Sequence, residues 1–171
     1  YVTAEDVGMS EADMVAIARA SDHVSGLPVD AGMAGGDPGP FTAYGIYLGI
    51  KAAVKHKLGN DSVAGVHVAI QGAGSVGGGV ARLLARDGAK LTLADVDEGR
   101  AQAVAGELSG TAVLADAIMA TPCDVLSPCA LGAILDEASI AALDCAVVAG
   151  GANNQLARAG HFAMLAERGI L

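Results

Sequence analysis

The segment VHVAIQGAGSVG, residues Val66–Gly77, decides the fold. Val66 to Gln71 is short, apolar and rich in β-branched side chains, the pattern of a buried strand. Gly72, Gly74 and Gly77 then fall into the spacing G-x-G-x-x-G. From Ser75 to Asp87, Val76, Val80, Leu83 and Leu84 recur at helical spacing, and Gly88 closes the run. In a chain this rich in glycine the spacing alone decides little. Its place does more, because the turn leaves a strand and opens a helix, where free backbone N–H groups and the helix dipole attract a diphosphate. Gly72 is expected to permit the tight turn and Gly74 the close approach of phosphate to the amides of Ser75 and Val76. Gly77 is expected to let the helix pack on the strand. Gly78 and Gly79 continue the run into the helix and receive no chemical role.

Leu91 to Ala94 forms the next strand, and Asp95 stands at its end, 18 residues after Gly77. A carboxylate there can accept hydrogen bonds from the adenosine ribose hydroxyls and would repel a 2′-phosphate. The nearest following arginine, Arg100, lies five residues on, so the expected cofactor is NAD rather than NADP. The plainer reading of Asp95 is a turn residue or a cap for the helix that starts near Asp97.

Outward from this unit the alternation continues. Glu98 to Leu108 reads as a helix, and Ala112–Leu114, Asp124–Leu126 and Ala146–Ala149 read as short strands. Parallel neighbours need helical crossovers, so the order implies an α/β fold of Rossmann type, a mostly parallel sheet with helices on both faces. Upstream, Thr42 is expected to cap a helix that buries Ile46, Ile50, Ala53 and Val54 and stops at Gly59. Val24 to Pro40 is glycine- and proline-rich and reads as a loop or hinge. Before it, Ser10 and Asp13 make a capping box for a helix carrying Met14, Ile17 and Ala18, and Tyr1 to Val7 reads as a short strand. Residues 1–38 are therefore expected to be the end of another domain with its hinge, and 39–171 the dinucleotide-binding domain.

Composition narrows the function classes. The apolar set makes up 53% of the chain, above the usual ~45–50% of a soluble protein, as a deeply buried sheet requires. Lys51, Lys55, Arg82, Arg86 and Asp87 interrupt every stretch that could approach a bilayer span, so no membrane partner is expected. Nineteen acidic against ten basic side chains leave a net charge of −9, which argues against nucleic acid. Cys123, Cys129 and Cys145 are odd in number and lack metal-binding spacing, which points to a reducing cytoplasm and no metal. His23, His56, His67 and His161 are scattered and read as structural or surface residues. Tyr1 in place of a starting Met suggests a fragment.

Several stretches together are similar to the Glu/Leu/Phe/Val dehydrogenase family, especially its leucine and valine branch. They are TAEDVG (Thr3–Gly8), GDPGPFTAYGIYLGIKA (Gly36–Ala52), QGAGSVG (Gln71–Gly77), SPCALGAIL (Ser127–Leu135), GGANNQLA (Gly150–Ala157) and RGIL (Arg168–Leu171). The resemblance implies NAD-dependent, reversible oxidative deamination of a small aliphatic L-amino acid, of leucine or valine type, to the 2-oxo acid and ammonium. Phenylalanine or glutamate dehydrogenase of the same family, a different Rossmann enzyme, or a non-catalytic NAD-binding module are the alternatives. It implies that Asp6 relays protons while the carbinolamine forms and breaks down, although an Asp near a strand end is ordinarily a turn or cap residue. It places Thr42 near the nicotinamide and the Cys129-Ala130-Leu131 loop along the dinucleotide. It also matches Asn154 to the family's constant amide. From the residues themselves, Asn153 and Asn154 follow an apolar strand, where ligands of open α/β sheets collect, and the alternative is an Asn pair in a turn. Cys129 lacks a nearby His or Lys to make it a nucleophile. The family's catalytic Lys would lie upstream of Tyr1 and its closing region beyond Leu171. This stretch alone is therefore expected to keep the nucleotide fold without turning over substrate. The full-length enzyme is expected to be a homo-oligomer.

Overall fold

The computed structural model describes residues 1–6, 8–29 and 35–171. Its contacts divide the chain into two compact units, Tyr1–Phe41 and Thr42–Leu171.

The second unit is built on five parallel strands, β1 (His67–Gln71), β2 (Lys90–Ala94), β3 (Thr111–Ala112), β4 (Val125–Pro128) and β5 (Val147–Val148), in the order β3-β2-β1-β4-β5. The apolar runs form strands because both sheet faces are covered and period-2 alternation can bury every position. Val68, Ile70, Leu91, Leu93, Val125 and Val147 face one core, while Ala69, Ala94, Leu126 and Val148 face the other. The first core is closed by α2 (Gly39–Leu58), α3 (Ser75–Arg86) and α4 (Glu98–Glu107), through Ile50, Val54, Val80, Leu84 and Val104. The second is closed by a 3-10 turn at Ile118–Ala120, α5 (Glu137–Ala142) and α6 (His161–Glu167), through Ile118, Ile140, Met164 and Leu165. The parallel α/β expectation holds. Helices α5 and α6 escape the sequence reading, since at six and seven residues they are too short to show a helical period.

Helix α2 starts earlier than its sequence suggests. Asp37 Oδ1 accepts from the Gly39 N–H at 2.7 Å, and Pro40 sits in the first turn, where its missing N–H costs no bond. Thr42 is thus an exposed residue inside the helix and not its cap, and the glycine- and proline-rich loop ends before Gly39. Gly59, at φ +73°, ends the helix in the left-handed conformation, its N–H bonded to the Lys55 carbonyl.

In the first unit, Ser10 and Asp13 form the expected reciprocal box at the start of α1 (Glu11–Ala18), which buries Met14. The expected strand at Tyr1–Val7 reduces to one parallel bridge, Thr3 with Val24, because no longer partner runs beside it among the described residues. Val7 of that expected strand, and residues 30–34 of the expected loop, lie outside the described residues.

Candidate functional site

The loops that follow β1, β2, β4 and β5 share one edge of the sheet, because parallel strands all end on the same side. Gly72 and Gly74, Asp95, Cys129 to Leu131, and Asn153 with Asn154 belong to these four loops. Between β1 and β4 the chain changes direction across the sheet, the place where open α/β folds leave a crevice.

Gly72 has φ +95°, and a Cβ there would stand 2.9 Å from the Ala130 N and 3.0 Å from the Cys129 carbonyl carbon. The turn therefore needs glycine twice over, for its conformation and for the loop packed on it. Gly77 is tighter still, since its Cβ would come within 1.9 Å of the Gly72 carbonyl oxygen. Gly74, the N-cap of α3, differs from both. It makes no side-chain cap, and a Cβ on it would meet nothing within 4 Å. The space beside Gly74 at the start of α3 is open, which suits an anionic ligand at a helix N-terminus. Ser75 and Val76 supply the first amides of that helix. Gly78 and Gly79 now have a structural reason. Cβ atoms there would lie 3.2 Å from the Ala73 carbonyl oxygen and 2.8 Å from the Ala43 Cβ, so they let α3 lie close to its own turn and to α2.

Asp95 is buried, and it ties the glycine turn to the second strand. Its Oδ2 accepts from the Ala73 N–H at 2.7 Å and its Oδ1 from the Asp97 N–H at 2.9 Å. Burial alone would raise its pKa, but the two backbone N–H groups and the Arg100 charge outweigh burial and hold the carboxyl below its ordinary value. Asp97, not Asp95, caps α4, through the Arg100 N–H. The sequence reading placed Arg100 too far away to matter. In the structure one turn of helix carries its guanidinium back to Asp95, at 3.4 and 3.5 Å from the two carboxylate oxygens, and to Asp97 at 3.4 Å.

Gln71, Gly72, Ala94, Asp95, Val96, Ala115 and Ala130 line one small pocket. Four of these, Gln71, Ala94, Val96 and Ala115, are not among the candidate site residues of the sequence. Val96 is 93% exposed, which is unusual for a large apolar side chain and gives the pocket an apolar wall beside Asp95. Gln71 lines this pocket, and its Oε1 is buried with no hydrogen-bond partner among the described residues. A valine directly after the strand-end acid was the signal available in the sequence.

The loops after β4 and β5 are joined to each other. Ala133 N–H donates to the Asn154 carbonyl at 2.6 Å and Leu135 N–H to the Gln155 carbonyl at 3.0 Å. Asn153 and Asn154 are exposed in a turn, Asn154 with φ +48°, so the turn geometry and an exposed amide occur together. Leu131 is exposed, whereas Cys129 is half-buried. Burial raises the Cys129 thiol, against a hydrogen bond from Ser127 at 3.5 Å, so a thiolate is disfavoured. Asp6 is an exposed residue of the first unit, and its carbonyl accepts from the Met9 N–H at 2.9 Å. Of the histidines, His67 bonds the Thr92 hydroxyl at 2.8 Å and His161 the Leu135 carbonyl at 2.8 Å. Among the described residues no group of three metal-ligating side chains comes together, and no helix is long and apolar enough to cross a membrane.

No protein-family model matches the chain. Over all 171 residues it is 43% identical to a leucine dehydrogenase of Thermoactinomyces intermedius, covering 46% of that protein. The chain is similar, along its whole length, to about half of an amino acid dehydrogenase. A valine dehydrogenase of Streptomyces virginiae is 38% identical over 174 residues, with the whole chain and 48% of the relative covered. Among solved structures, the L-tryptophan dehydrogenase of Nostoc punctiforme superposes with a TM-score of 0.80 at 35% identity, over 99% of this chain and 48% of that one. The chain thus spans about half the length of the dehydrogenases it matches. L-tryptophan dehydrogenases, which the sequence reading did not name, are thus among the similar proteins. The open space at Gly74 and the buried carboxylate of Asp95 fit a dinucleotide.

Proposed function

We propose that the protein carrying this chain is an NAD-dependent L-amino-acid dehydrogenase of leucine or valine type. It converts L-amino acid, NAD⁺ and water into 2-oxo acid, ammonium and NADH, reversibly. The observation that carries this reading is the glycine turn of β1 and α3 bonded to Asp95, in a chain homologous along its whole length to dehydrogenases of leucine and valine. Gly72, Gly74 and Gly77 shape the cradle, with the Ser75 and Val76 amides toward the diphosphate and Asp95 toward the adenosine ribose. Asp95 favours NAD, because a second negative group beside it raises the electrostatic cost. A bound nicotinamide would supply the hydride acceptor for the substrate's α-carbon. The Cys129-Ala130-Leu131 segment runs along the dinucleotide through its backbone, and Thr42 and Asn154 orient its nicotinamide end, with Asn153 beside it. Asp6 serves as the proton relay, taking a proton from the water that adds to the imine and returning one to the departing ammonia. Residues 1–38 belong to the substrate domain and 39–171 to the nucleotide domain. The full-length protein works as a cytoplasmic homo-oligomer, with neither nucleic acid nor membrane as partner.

The test is an absorbance assay of the full-length protein with leucine, valine, phenylalanine, tryptophan and glutamate, each with NAD and NADP. Leucine or valine with NAD is expected to give the largest kcat/KM. Tight NADH binding without turnover of any amino acid, or of 2-oxo acid with ammonium, would replace the enzyme by a nucleotide-binding module.

A further inference from the structure

Cys123 and Cys145 each stand two residues before β4 and β5, at the end of the sheet away from the glycine turn. The register pairs Val125 with Val147 and Leu126 with Val148, an offset of 22, and the same offset sets Cys123 opposite Cys145. The Cys123 N–H donates to the Asp144 carbonyl at 3.0 Å, which holds the two backbones together at this level. Both side chains pack on the same face of the sheet, against the core that contains Leu126 and Ile140. Neighbouring strands lie about 4.8 Å apart, within the ~4.4–6.8 Å that a disulfide allows between Cα atoms. Both cysteines are free and only partly buried.

We propose that Cys123 and Cys145 form a reversible dithiol–disulfide couple, a redox modification site independent of the dinucleotide crevice. The surroundings distinguish the two sulfurs. The hydrogen bond between the two sulfurs, together with burial, pushes Cys123 up, and the same bond draws Cys145 below the ordinary thiol value despite its burial. Backbone N–H groups and the Arg168 guanidinium, itself fixed by the Leu143 carbonyl at 2.7 Å, add to the effect on Cys145. The Arg168 guanidinium, anchored two residues from Cys145, lies on the Cys145 side of the pair, so in the proposed exchange Cys145 is the attacking thiolate and Cys123 the resolving thiol. With a small disulfide as oxidant, the Cys145 thiolate attacks one sulfur, forms a mixed disulfide and expels one thiolate. Cys123 then loses its proton and attacks the Cys145 sulfur, expelling the second thiolate. The two protein thiols become one disulfide, and the oxidant is reduced to two thiols.

The experiment equilibrates the folded full-length protein with graded ratios of oxidised to reduced glutathione, then alkylates it and maps the peptides by mass. A Cys123–Cys145 linked peptide lighter by two hydrogens, reversed by dithiothreitol, with Cys129 alkylated throughout, is the expected result. Cys123→Ser should trap glutathione on Cys145, whereas Cys145→Ser should take up glutathione on Cys123 at least about tenfold more slowly. Alkylation of both cysteines at every ratio, or links that run through Cys129 or between two chains, overturns the proposal. Because this reading needs only the unmodified protein, it stands even where a serine variant fails to fold.

Discussion

Asp95 carries more of this molecule than a ribose contact would need. Its two oxygens already hold the glycine turn and the start of α4 before any ligand arrives. Asp95→Asn keeps the shape but replaces one acceptor oxygen by a donor facing a backbone N–H. A lost charge-assisted bond is worth about 1.5–3 kcal/mol, so NADH should bind at least about tenfold more weakly by calorimetry. Arg100 makes the opposite prediction. It lies 3.4 and 3.5 Å from the two Asp95 oxygens and is half exposed, a cation beside the carboxylate that a 2′-phosphate would meet. Arg100→Ala should leave NADH binding equal or up to about threefold tighter and weaken NADPH about tenfold, widening the preference. Equal losses for both cofactors would show that the arginine only supports the fold. From sequence, Asp95 was readable because its type and distance from the glycines are set by the strand–turn–helix unit. Arg100 was not, because its reach depends on how far α4 turns its first residues back over the strand end.

At the scale of elements, the glycines of the turn between β1 and α3 are not equivalent, and two substitutions separate them. Gly77→Ala drives a methyl into the Gly72 carbonyl oxygen. Overpacking of this kind costs about 1–3 kcal/mol, so thermal unfolding should show a lower Tm. Gly74→Ala meets open space at an ordinary φ of −71°, so stability should change little while NADH binding falls at least about tenfold. Equal effects of the two on stability would remove the distinction between packing and ligand space. The spacing of the motif predicted these tasks, yet it assigned nothing to Gly78 and Gly79, whose reason is the closeness of the Ala73 carbonyl and of Ala43 on α2. The start of α2 was misplaced for a similar cause. Thr42 has the right chemistry for a cap, but Asp37 lies earlier and engages Gly39 first.

For the whole molecule, the charge pattern predicts a pH response. Asp87, Asp95 and Asp136 all sit below their ordinary pKa, Asp87 through Tyr47 and Lys51, Asp95 through backbone N–H groups and Arg100 against its burial, and Asp136 through Ser139. Groups depressed in the folded state stabilise it fully above the unfolded carboxylate pKa and lose that contribution as pH falls through the folded values. Tm should therefore be flat from about pH 7 to 5 and drop below about pH 4; a Tm that rises on acidification would contradict these assignments. The five strands of the sheet, their parallel order, the glycine turn and its acid were determined by the sequence alone, since apolar runs of strand length joined by helical periods have one simple way to bury both faces. The tertiary structure alone decided which loops meet at the strand ends, how Arg100 returns to Asp95, and that Cys123 faces Cys145. Those are contacts that depend on how elements turn and pair in space, and no local period or propensity encodes the register that brings them together.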